Sequence, residues 1–264
     1  MSTADNAGRP VAAVILAAGK GKRMKGDRAK VLYEVAGRPL LEHVIDRLDD
    51  LGVERRIVVV GERRQPVIEV SHRRGATTVV QEEQLGTAHA FQQALPALDG
   101  FHGTVLILCG DTPLLCEDTL RQLLNTHWEK AAAITVLSAD LGDPTGYGRV
   151  VRDSHGDIER IVEHGDASET ERALPEINTA IYALEFPAAA KPLSGIDRNN
   201  AQGEFYLTDL VAVLHQKGQR VAVFKVGDER EAMGVNTAEQ LEAAESIFQE
   251  LIHEGRLPAP AKGP

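Results

Sequence analysis

The stretch VAAVILAAGKGKRM, residues 11–24, decides the fold class of this chain. It starts with a continuous apolar run over residues 11–16, which is typical of a strand buried on both faces of a sheet. Small residues follow at once, and they allow the backbone to approach a ligand closely and to direct N–H groups at phosphate oxygens. The stretch therefore predicts a buried strand that leads into a phosphate-binding loop.

Basic residues are concentrated in and after this loop. Between positions 20 and 30 the only acid is Asp27, and the six bases are Lys20, Lys22, Arg23, Lys25, Arg28 and Lys30. The whole chain has the opposite balance, with a formal net charge of −10, which argues against sequence-independent binding of nucleic acid. A basic island in an acidic chain favours a small polyanion such as a triphosphate. A solvated loop would give the same charge pattern.

Other familiar sites and locations are disfavoured. The chain has no G-x-x-x-x-G-K-[ST] segment for a P-loop, and Met24 stands where the Rossmann dinucleotide fingerprint needs a small residue. Cys109 and Cys116 provide neither a disulfide framework nor a metal cluster. The longest apolar run is too short to cross a membrane, and the first ten residues lack the apolar stretch of a secretory signal. We therefore expect a cytoplasmic protein without a membrane partner.

Strand-like and helical patterns alternate through the first half of the chain. Further strands are predicted at residues 57–60, 79–80 and 105–108, and helices at residues 39–51, 67–73, 87–95 and 117–130. This alternation favours an α/β fold with a doubly wound, mostly parallel sheet. Beyond residue 138 the strand-like runs are short and separated by turns, which predicts a smaller mixed or antiparallel β extension.

The glycine-rich loop and the following Lys30, Val31 and Leu32 resemble those of the sugar nucleotidyltransferases. Seven later segments occur in the order of that family: QEEQLGTAHA at 81–90, GDTPL at 110–114, GYGR at 146–149, VEH at 162–164, EINT at 176–179, NNAQGE at 199–204 and GVN at 234–236. Over about residues 11–253 the chain resembles the uridylyltransferase half of the bifunctional N-acetylglucosamine-1-phosphate uridylyltransferase/glucosamine-1-phosphate acetyltransferase.

The resemblance implies a Rossmann-like fold of the nucleotide-diphospho-sugar transferase type. It places the nucleotidyltransferase domain at residues 9–236 and a C-terminal helix with a linker tail at residues 237–264, without the acetyltransferase β-helix domain. The implied reaction transfers UMP from UTP to N-acetylglucosamine 1-phosphate by Mg²⁺-dependent in-line attack, giving UDP-N-acetylglucosamine and pyrophosphate. The oligomeric state is not predicted.

The same resemblance implies roles for individual residues. Catalysis would depend on Arg23, Lys30 and Asp111, and Mg²⁺ would be held by the oxygens of Asp111 and Asn236. The residues expected at the nucleotide are Leu16, Ala17, Ala18, Gly19, Lys30, Gln81, Gly86 and Thr87. The residues expected at the sugar are Gly148, Glu163, Asn178 and Asn236.

Simpler interpretations of these residues stay open. Asp111 opens a turn, Asn236 stands beside a helix start where asparagine is usually a cap, and Gln81 alone would be an ordinary surface residue. The whole protein also has two alternatives: the same chemistry on another sugar 1-phosphate or nucleotide, or a catalytically inactive nucleotide-sensing or scaffold subunit.

The chain departs from the family at three positions. Lys22 stands where threonine is usual, Cys109 where tyrosine is common, and Ala29 where proline usually precedes the lysine. Because alanine is less rigid than proline, we expect a more mobile loop before nucleotide binds.

Overall fold

The structure is a computed structural model that describes residues 8–19, 21, 24, 28–62 and 64–259. The strands are β1 (Val11–Ala17), β2 (Glu34–Val35), β3 (Arg38–Pro39), β4 (Val53–Val60), β5 (Thr77–Val80), β6 (Gly103–Cys109), β7 (Ile134–Asp140), β8 (Gly148–Arg152), β9 (Ile158–Val162), β10 (Glu176–Phe186) and β11 (Val221–Lys225). The α-helices are α1 (Leu40–Asp46), α2 (Arg64–Arg73), α3 (Thr87–Ala94), α4 (Glu117–Glu129), α5 (Glu169–Arg172), α6 (Asp209–Gln216) and α7 (Ala238–His253). None of these helices is both long and apolar enough to cross a bilayer.

A mixed sheet forms the middle layer, in the order β11-β7-β10-β6-β1-β4-β5. Its strands β6, β1, β4 and β5 run parallel, as do β7 and β11. Strand β10 runs antiparallel between β6 and β7, and it also pairs with β8, which pairs with β9. This arrangement confirms the prediction of a mostly parallel α/β sheet with a smaller antiparallel extension.

The first strand is covered on both faces, as its continuous apolar sequence predicts. Alternate side chains of a strand point to opposite faces. Accordingly, Val11, Ala13 and Ile15 belong to the core beneath α1, α2 and α4, whereas Ala12 and Val14 belong to the core beneath α3 and α6. The fold therefore has three layers, with β1 near the middle of the central one.

The helix predicted over residues 39–51 is interrupted. Helix α1 ends at Asp46, a 3-10 turn follows over Asp49–Leu51, and Gly52 has a left-handed φ of 65°. The tighter turn has three residues per turn, so it places Leu48 and Leu51 on the same side, and both are buried. Arg56 donates to the Leu48 carbonyl, which satisfies a backbone group at the break.

Helix α7 packs on the domain through a third core. Its buried residues Ala244, Phe248 and Leu251 contact a cluster that includes Leu40 and Leu114. The helix is therefore held against the same domain as the sheet, and the residues that lead into it are fixed in place.

A cavity of about 630 Å³ opens at the amino-terminal edge of the parallel strands, and His127 borders it. His127 is 2% exposed, and its Nε2 has no hydrogen-bond partner among the described residues. The Glu185 carboxylate lies 3.7 Å away and would favour a charged imidazole, but its side chain is 51% exposed and screened by water. Burial dominates and, with help from Arg9, lowers the pKa of His127 to about 4.

We expect His127 to make the protein less stable in acid. The pKa of an unfolded histidine is near 6.5, so as pH falls from about 6.5 to about 4 the unfolded chain binds a proton that the folded chain does not. The contribution of this residue is thus fully present above pH 6.5 and is lost toward pH 4. His127→Asn should therefore reduce the loss of unfolding free energy in acid by up to about 3 kcal/mol.

Urea unfolding between pH 7.5 and 4.5 measures this difference. The exposed His155 provides the matched control, because His155→Asn also replaces a histidine but keeps His127, so the decrease in stability toward pH 4 should remain. Parallel pH profiles for the wild type and His127→Asn would contradict the assignment.

Candidate active site

The predicted nucleotide residues meet at the carboxyl-terminal edge of the parallel strands. Strands β1, β5 and β6 end there, and each leads directly into one or more of the predicted residues. A cleft of about 570 Å³ opens at this edge. Its lining includes all eight predicted nucleotide residues and Asp111: Leu16, Ala17, Ala18, Gly19, Lys30, Gln81, Gly86, Thr87 and Asp111. Of the predicted catalytic residues, Arg23 lies outside the described residues.

Lys30, Asp111 and Asn236 form one cluster at the cleft. The Lys30 ammonium makes an ion pair with Asp111 Oδ2 and donates to Asn236 Oδ1 at 2.8 Å. The backbone brings the partners together, because Val235 N–H donates to the Asp111 carbonyl oxygen at 2.9 Å. The Lys30 and Asp111 side chains are 15% and 16% exposed, so water screens the pair less than it screens a surface ion pair.

Asn236 is not the cap of the following helix, so that simpler interpretation is wrong. Thr237 is the N-cap of α7, and its hydroxyl accepts a hydrogen bond from Gln240 N–H at 3.2 Å. Gln240 Oε1 in turn accepts from Asn236 N–H at 2.7 Å. The Asn236 side-chain oxygen is therefore available to the cluster with Lys30.

The donor atoms of this cluster fit a divalent cation. Asp111 and Asn236 both direct an oxygen at the Lys30 ammonium, so two hard ligands already face one cation position. Within the described ranges, no group of three or more His, Cys, Asp or Glu is placed to hold a metal. Mg²⁺ is often bound by one or two protein oxygens and completes its shell with water and substrate phosphates, so this donor set suits it.

The Gln81 side chain is buried and held, unlike that of an ordinary surface glutamine. It is 3% exposed, and its Nε2 lies 3.1 Å from the Gly86 carbonyl oxygen and 3.0 Å from His89 Nδ1. Sequence reasoning did not identify His89, although it lies in the quoted segment at 81–90. A contact between residues eight positions apart, one after a strand and one in a helix, has no local signal.

The loop that carries Gly86 is held by hydrogen bonds from a segment in the second half of the chain. Phe205 N–H donates to the Leu85 carbonyl at 2.8 Å, and Leu207 N–H donates to Thr87 Oγ1 at 2.9 Å. Gly86 has a φ of +116°, and a Cβ there would lie 2.4 Å from the Phe205 carbonyl oxygen. Only glycine allows this approach. The neighbouring Gln202 and Glu204 also line the cleft, and sequence reasoning gave them no role.

Three of the predicted sugar residues form a second cluster, outside the lining of the cleft. Gly148 pairs with Asn178 across β8 and β10, and a Cβ on Gly148 would lie 3.4 Å from Glu163 Oε2. The Asn178 amide is fixed, because its Oδ1 accepts from Ala180 N–H at 3.1 Å and its Nδ2 donates to the Tyr182 hydroxyl at 2.9 Å. The fourth predicted sugar residue, Asn236, lies with Lys30 instead.

A bulge in β10 joins the two clusters. The register against β7 shifts between Asn178 and Tyr182, and Ala180 has a φ of 60°, which is unusual for alanine. The Ala180 carbonyl faces Cys109 Sγ in the lining of the cleft, at 3.6 Å. The bulge therefore lies between the cleft and the predicted sugar residues.

Glu163 has an environment that favours its neutral form. Burial raises the pKa of this carboxyl, and nearby acids such as Asp209 and Asp166 raise it further. The Thr208 hydroxyl donates to Glu163 Oε1 at 3.2 Å, which opposes the shift without cancelling it. The Glu163 carboxyl oxygens can accept hydrogen bonds from a hydroxyl or N–H group of a ligand.

Comparison with known proteins gives one family and several relatives. The family model described as the MobA-like NTP transferase domain matches residues 13–196. Bifunctional protein GlmU from Halalkalibacterium halodurans is 44% identical over 242 residues, which are 92% of this chain and 53% of that protein. The proteins of the same name from a Geobacillus species and from Brevibacillus brevis are 45% and 46% identical, over 91% and 93% of this chain and 52% and 53% of their own lengths. The chain thus spans about half the length of these curated relatives.

Ala29, which precedes Lys30, has a backbone that suits proline. Its φ is −61° and its ψ is 137°, and none of the described residues accepts a hydrogen bond from its N–H. We expect Ala29→Pro to stabilise the protein by about 0.4–1 kcal/mol, because proline reduces the freedom of the unfolded chain. Urea unfolding gives the difference.

Ala36→Pro is the matched control. Ala36 has a φ of 50°, which proline cannot adopt, and its N–H donates to Glu245 Oε2. This variant should be destabilised by more than Ala29→Pro is stabilised. A loss of stability in Ala29→Pro would show that the loop before Lys30 resists the restriction.

Proposed function

Because this chain belongs to the MobA-like NTP transferase family, we propose that it is a sugar-1-phosphate uridylyltransferase. It transfers UMP from UTP to N-acetylglucosamine 1-phosphate and gives UDP-N-acetylglucosamine and pyrophosphate. The similarity to proteins named bifunctional protein GlmU over 92% of the chain supports this class of activity. The choice of uridine and of N-acetylglucosamine is supported by the ordered segments of the sequence.

One observation carries the proposal. A single cleft is lined by the glycine-rich turn after β1, by the held Gln81 amide, by Lys30 and by Asp111. Small residues offer backbone N–H groups to phosphates, an amide suits a base edge, and a cation with a carboxylate suits a triphosphate and its metal. These are the parts that nucleotidyl transfer requires, and they meet although they come from distant parts of the chain.

The reaction needs positioning and charge compensation more than proton transfer. An oxygen of the sugar phosphate forms a bond to the α-phosphorus of UTP, and the bond from that phosphorus to the β-phosphate oxygen breaks. The electron pair leaves with pyrophosphate. The attacking phosphate is already an anion, so no residue has to act as a general base. Lys30, in the lining of the cleft, compensates the charge on the phosphates.

Asp111 and Asn236 would hold Mg²⁺, whose charge would further offset that of the phosphates. Both oxygens accept from the Lys30 ammonium and so face one cation position. Arg23 is proposed to contribute a second positive charge, from a position outside the described residues.

The cluster beyond the bulge is proposed to select the sugar. Asn178 has one fixed amide orientation, and the Glu163 carboxyl oxygens can accept, so both suit hydroxyl and acetamido groups. Gly148 leaves room for the ring, because a side chain there would approach the Glu163 carboxylate. A cytoplasmic location follows from the proposed use of UTP. The domain boundary at residue 236 and the lack of nucleic-acid and membrane partners stay predictions.

A panel of substrates tests the proposed reaction. Pyrophosphate release in the presence of Mg²⁺ should have its highest kcat/KM with UTP and N-acetylglucosamine 1-phosphate. Glucose 1-phosphate and N-acetylgalactosamine 1-phosphate are the matched sugars, and CTP, ATP and GTP are the matched nucleotides. A higher kcat/KM with glucose 1-phosphate would reject the sugar assignment. Absence of turnover with every pair would favour a nucleotide-sensing subunit.

Asp111→Asn tests the metal position. The change keeps the side-chain shape but removes the charge, so kcat should fall by about 10²–10³, the scale for one preorganised electrostatic group. The protein should stay folded, because the asparagine side-chain oxygen can still accept a hydrogen bond from the Lys30 ammonium.

Asp140→Asn is the control, since Asp140 pairs with Lys225 at 2.9 Å and its side chain is 54% exposed. Its kcat should equal that of the wild type. Near-normal kcat for Asp111→Asn at limiting magnesium would reject the metal assignment.

A further inference from the structure

We propose that His89 is a positioning residue for base selection. It helps to fix the orientation of the Gln81 amide, so that the amide oxygen stays available to the ligand. The inference rests on the proposed uridylyltransferase function, in which Gln81 contacts the base. It adds a residue that does not itself touch the nucleotide. His89 acts through the orientation of another side chain.

The lock, meaning the two hydrogen bonds that fix the Gln81 amide, is formed by two acceptors around the amide nitrogen. Gln81 Nε2 has two hydrogens, one directed at the Gly86 carbonyl oxygen at 3.1 Å and one at His89 Nδ1 at 3.0 Å. A carbonyl oxygen only accepts, so the Gln81 atom that faces it is the nitrogen. None of the described residues donates to Gln81 Oε1. The amide therefore uses both of its donors on the protein and keeps its acceptor for a ligand in the cleft.

The lock also fixes the tautomer of the His89 ring. Because Nδ1 accepts from Gln81, the neutral ring carries its hydrogen on Nε2. Gln93 Nε2 lies 3.2 Å from His89 Nε2 and 3.2 Å from the His89 carbonyl oxygen, so it also presents a donor to the ring. A neutral imidazole accepts at only one nitrogen. Gln81 is buried and its nitrogen is fixed by Gly86, so Nδ1 accepts from Gln81. The half-buried Gln93 donates to the His89 carbonyl oxygen, and Nε2 does not accept from it.

Both acceptors come from one rigid turn. Gly86 is the N-cap of α3, and His89 lies in the first turn of that helix. The turn is held from outside, because Ala88 N–H donates to the Phe205 carbonyl at 2.9 Å and the Phe205 ring lies 6.4 Å from the His89 ring. The amide is thus oriented before any nucleotide arrives, so little ordering is left for binding to supply.

A fixed amide oxygen distinguishes uracil from cytosine. At position N3 uracil has an N–H donor, which the oxygen accepts, whereas cytosine has a lone pair there, which the oxygen repels. A glutamine that turns freely presents its NH₂ to cytosine equally well. Rejection of a close analogue is strongest when a site is built around one hydrogen-bonding pattern. The lock gives the cleft this property.

Loss of His89 should weaken the discrimination without abolishing it. In the wild type, turning the amide gives up two hydrogen bonds, and without the His89 acceptor it gives up only the bond to Gly86. The ratio of kcat/KM for UTP to that for CTP should therefore fall about threefold to tenfold in His89→Phe, the scale of one hydrogen bond. The KM for N-acetylglucosamine 1-phosphate should stay within about twofold, because a single orienting hydrogen bond on the base side is removed.

His89→Asn is the matched variant. The asparagine amide ends near the position of imidazole Nδ1, so its oxygen can accept from Gln81 Nε2 and should restore much of the ratio. His89→Phe keeps the ring volume next to Phe205 but has no acceptor. If His89→Phe does not fold, as judged by its unfolding midpoint, His89→Gln replaces it, since the longer side chain places its amide near Nε2 instead.

A double-mutant cycle separates action through Gln81 from a direct effect. In a Gln81→Ala background, His89→Phe should change the UTP-to-CTP ratio no further, because there is no amide left to orient. Calorimetric binding of UTP and CTP provides the same ratio for variants with slow turnover. An effect of His89→Phe that persists in the Gln81→Ala background would overturn the inference.

The outcomes distinguish the inference from the function on which it rests. A wild-type enzyme that uses CTP as well as UTP would reject the uridine assignment itself. A wild type that prefers UTP, with the preference intact in His89→Phe, would overturn the role of His89 and leave the function standing. Equal losses in His89→Phe and His89→Asn would also overturn it, because they would show that the ring only packs.

Discussion

The burial of β1 on both faces is the constraint on which the rest of the structure depends. Helices cover both sides, so the strand consists of small and branched apolar residues and its neighbours β4 and β6 run parallel to it. Parallel strands direct all their carboxyl ends to one edge. The glycine-rich turn, Gln81 and Asp111 therefore meet at this edge. Gln81 follows the turn by 60 or more positions, and Asp111 follows Gln81 by 30.

The second half of the chain brings further site residues to this edge of the sheet. Strand β10 runs against β6, so its amino-terminal residues return to the same edge and carry Asn178 there. The backbone bond from Val235 to Asp111 brings Asn236 to Lys30. A partly buried carboxylate without a partner would be costly, and the ion pair with the Lys30 ammonium lowers that cost. The same contact holds two oxygens in the arrangement that a divalent ion uses.

Local patterns predicted much of the fold and part of the site. The apolar run of β1, the strand that ends before Asp111 and the helix predicted at residues 87–95 each have a signal within a few residues, and all three elements are present. The break after Asp46 had no such signal, because it arises from the common burial of Leu48 and Leu51. Contacts such as that between Lys30 and Asn236, or between Gln81 and His89, depend on tertiary packing. The residues of the cleft followed from the resemblance, and their mutual contacts required the structure.

The backbone hydrogen bonds between residues 85–88 and Phe205 limit how this protein can change during evolution. These bonds run from the Phe205 amide and carbonyl to the backbone of Leu85 and Ala88, so they do not depend on which side chain stands at position 205. Apolar replacements that keep the packing of this side chain on the core can accumulate, whereas an inserted or deleted residue between positions 200 and 207 would shift the main chain out of register with the nucleotide loop. Divergence in this segment is therefore expected to proceed by replacement at constant length. A recombination that joins the two halves from different ancestors would work only if both ancestors share that length.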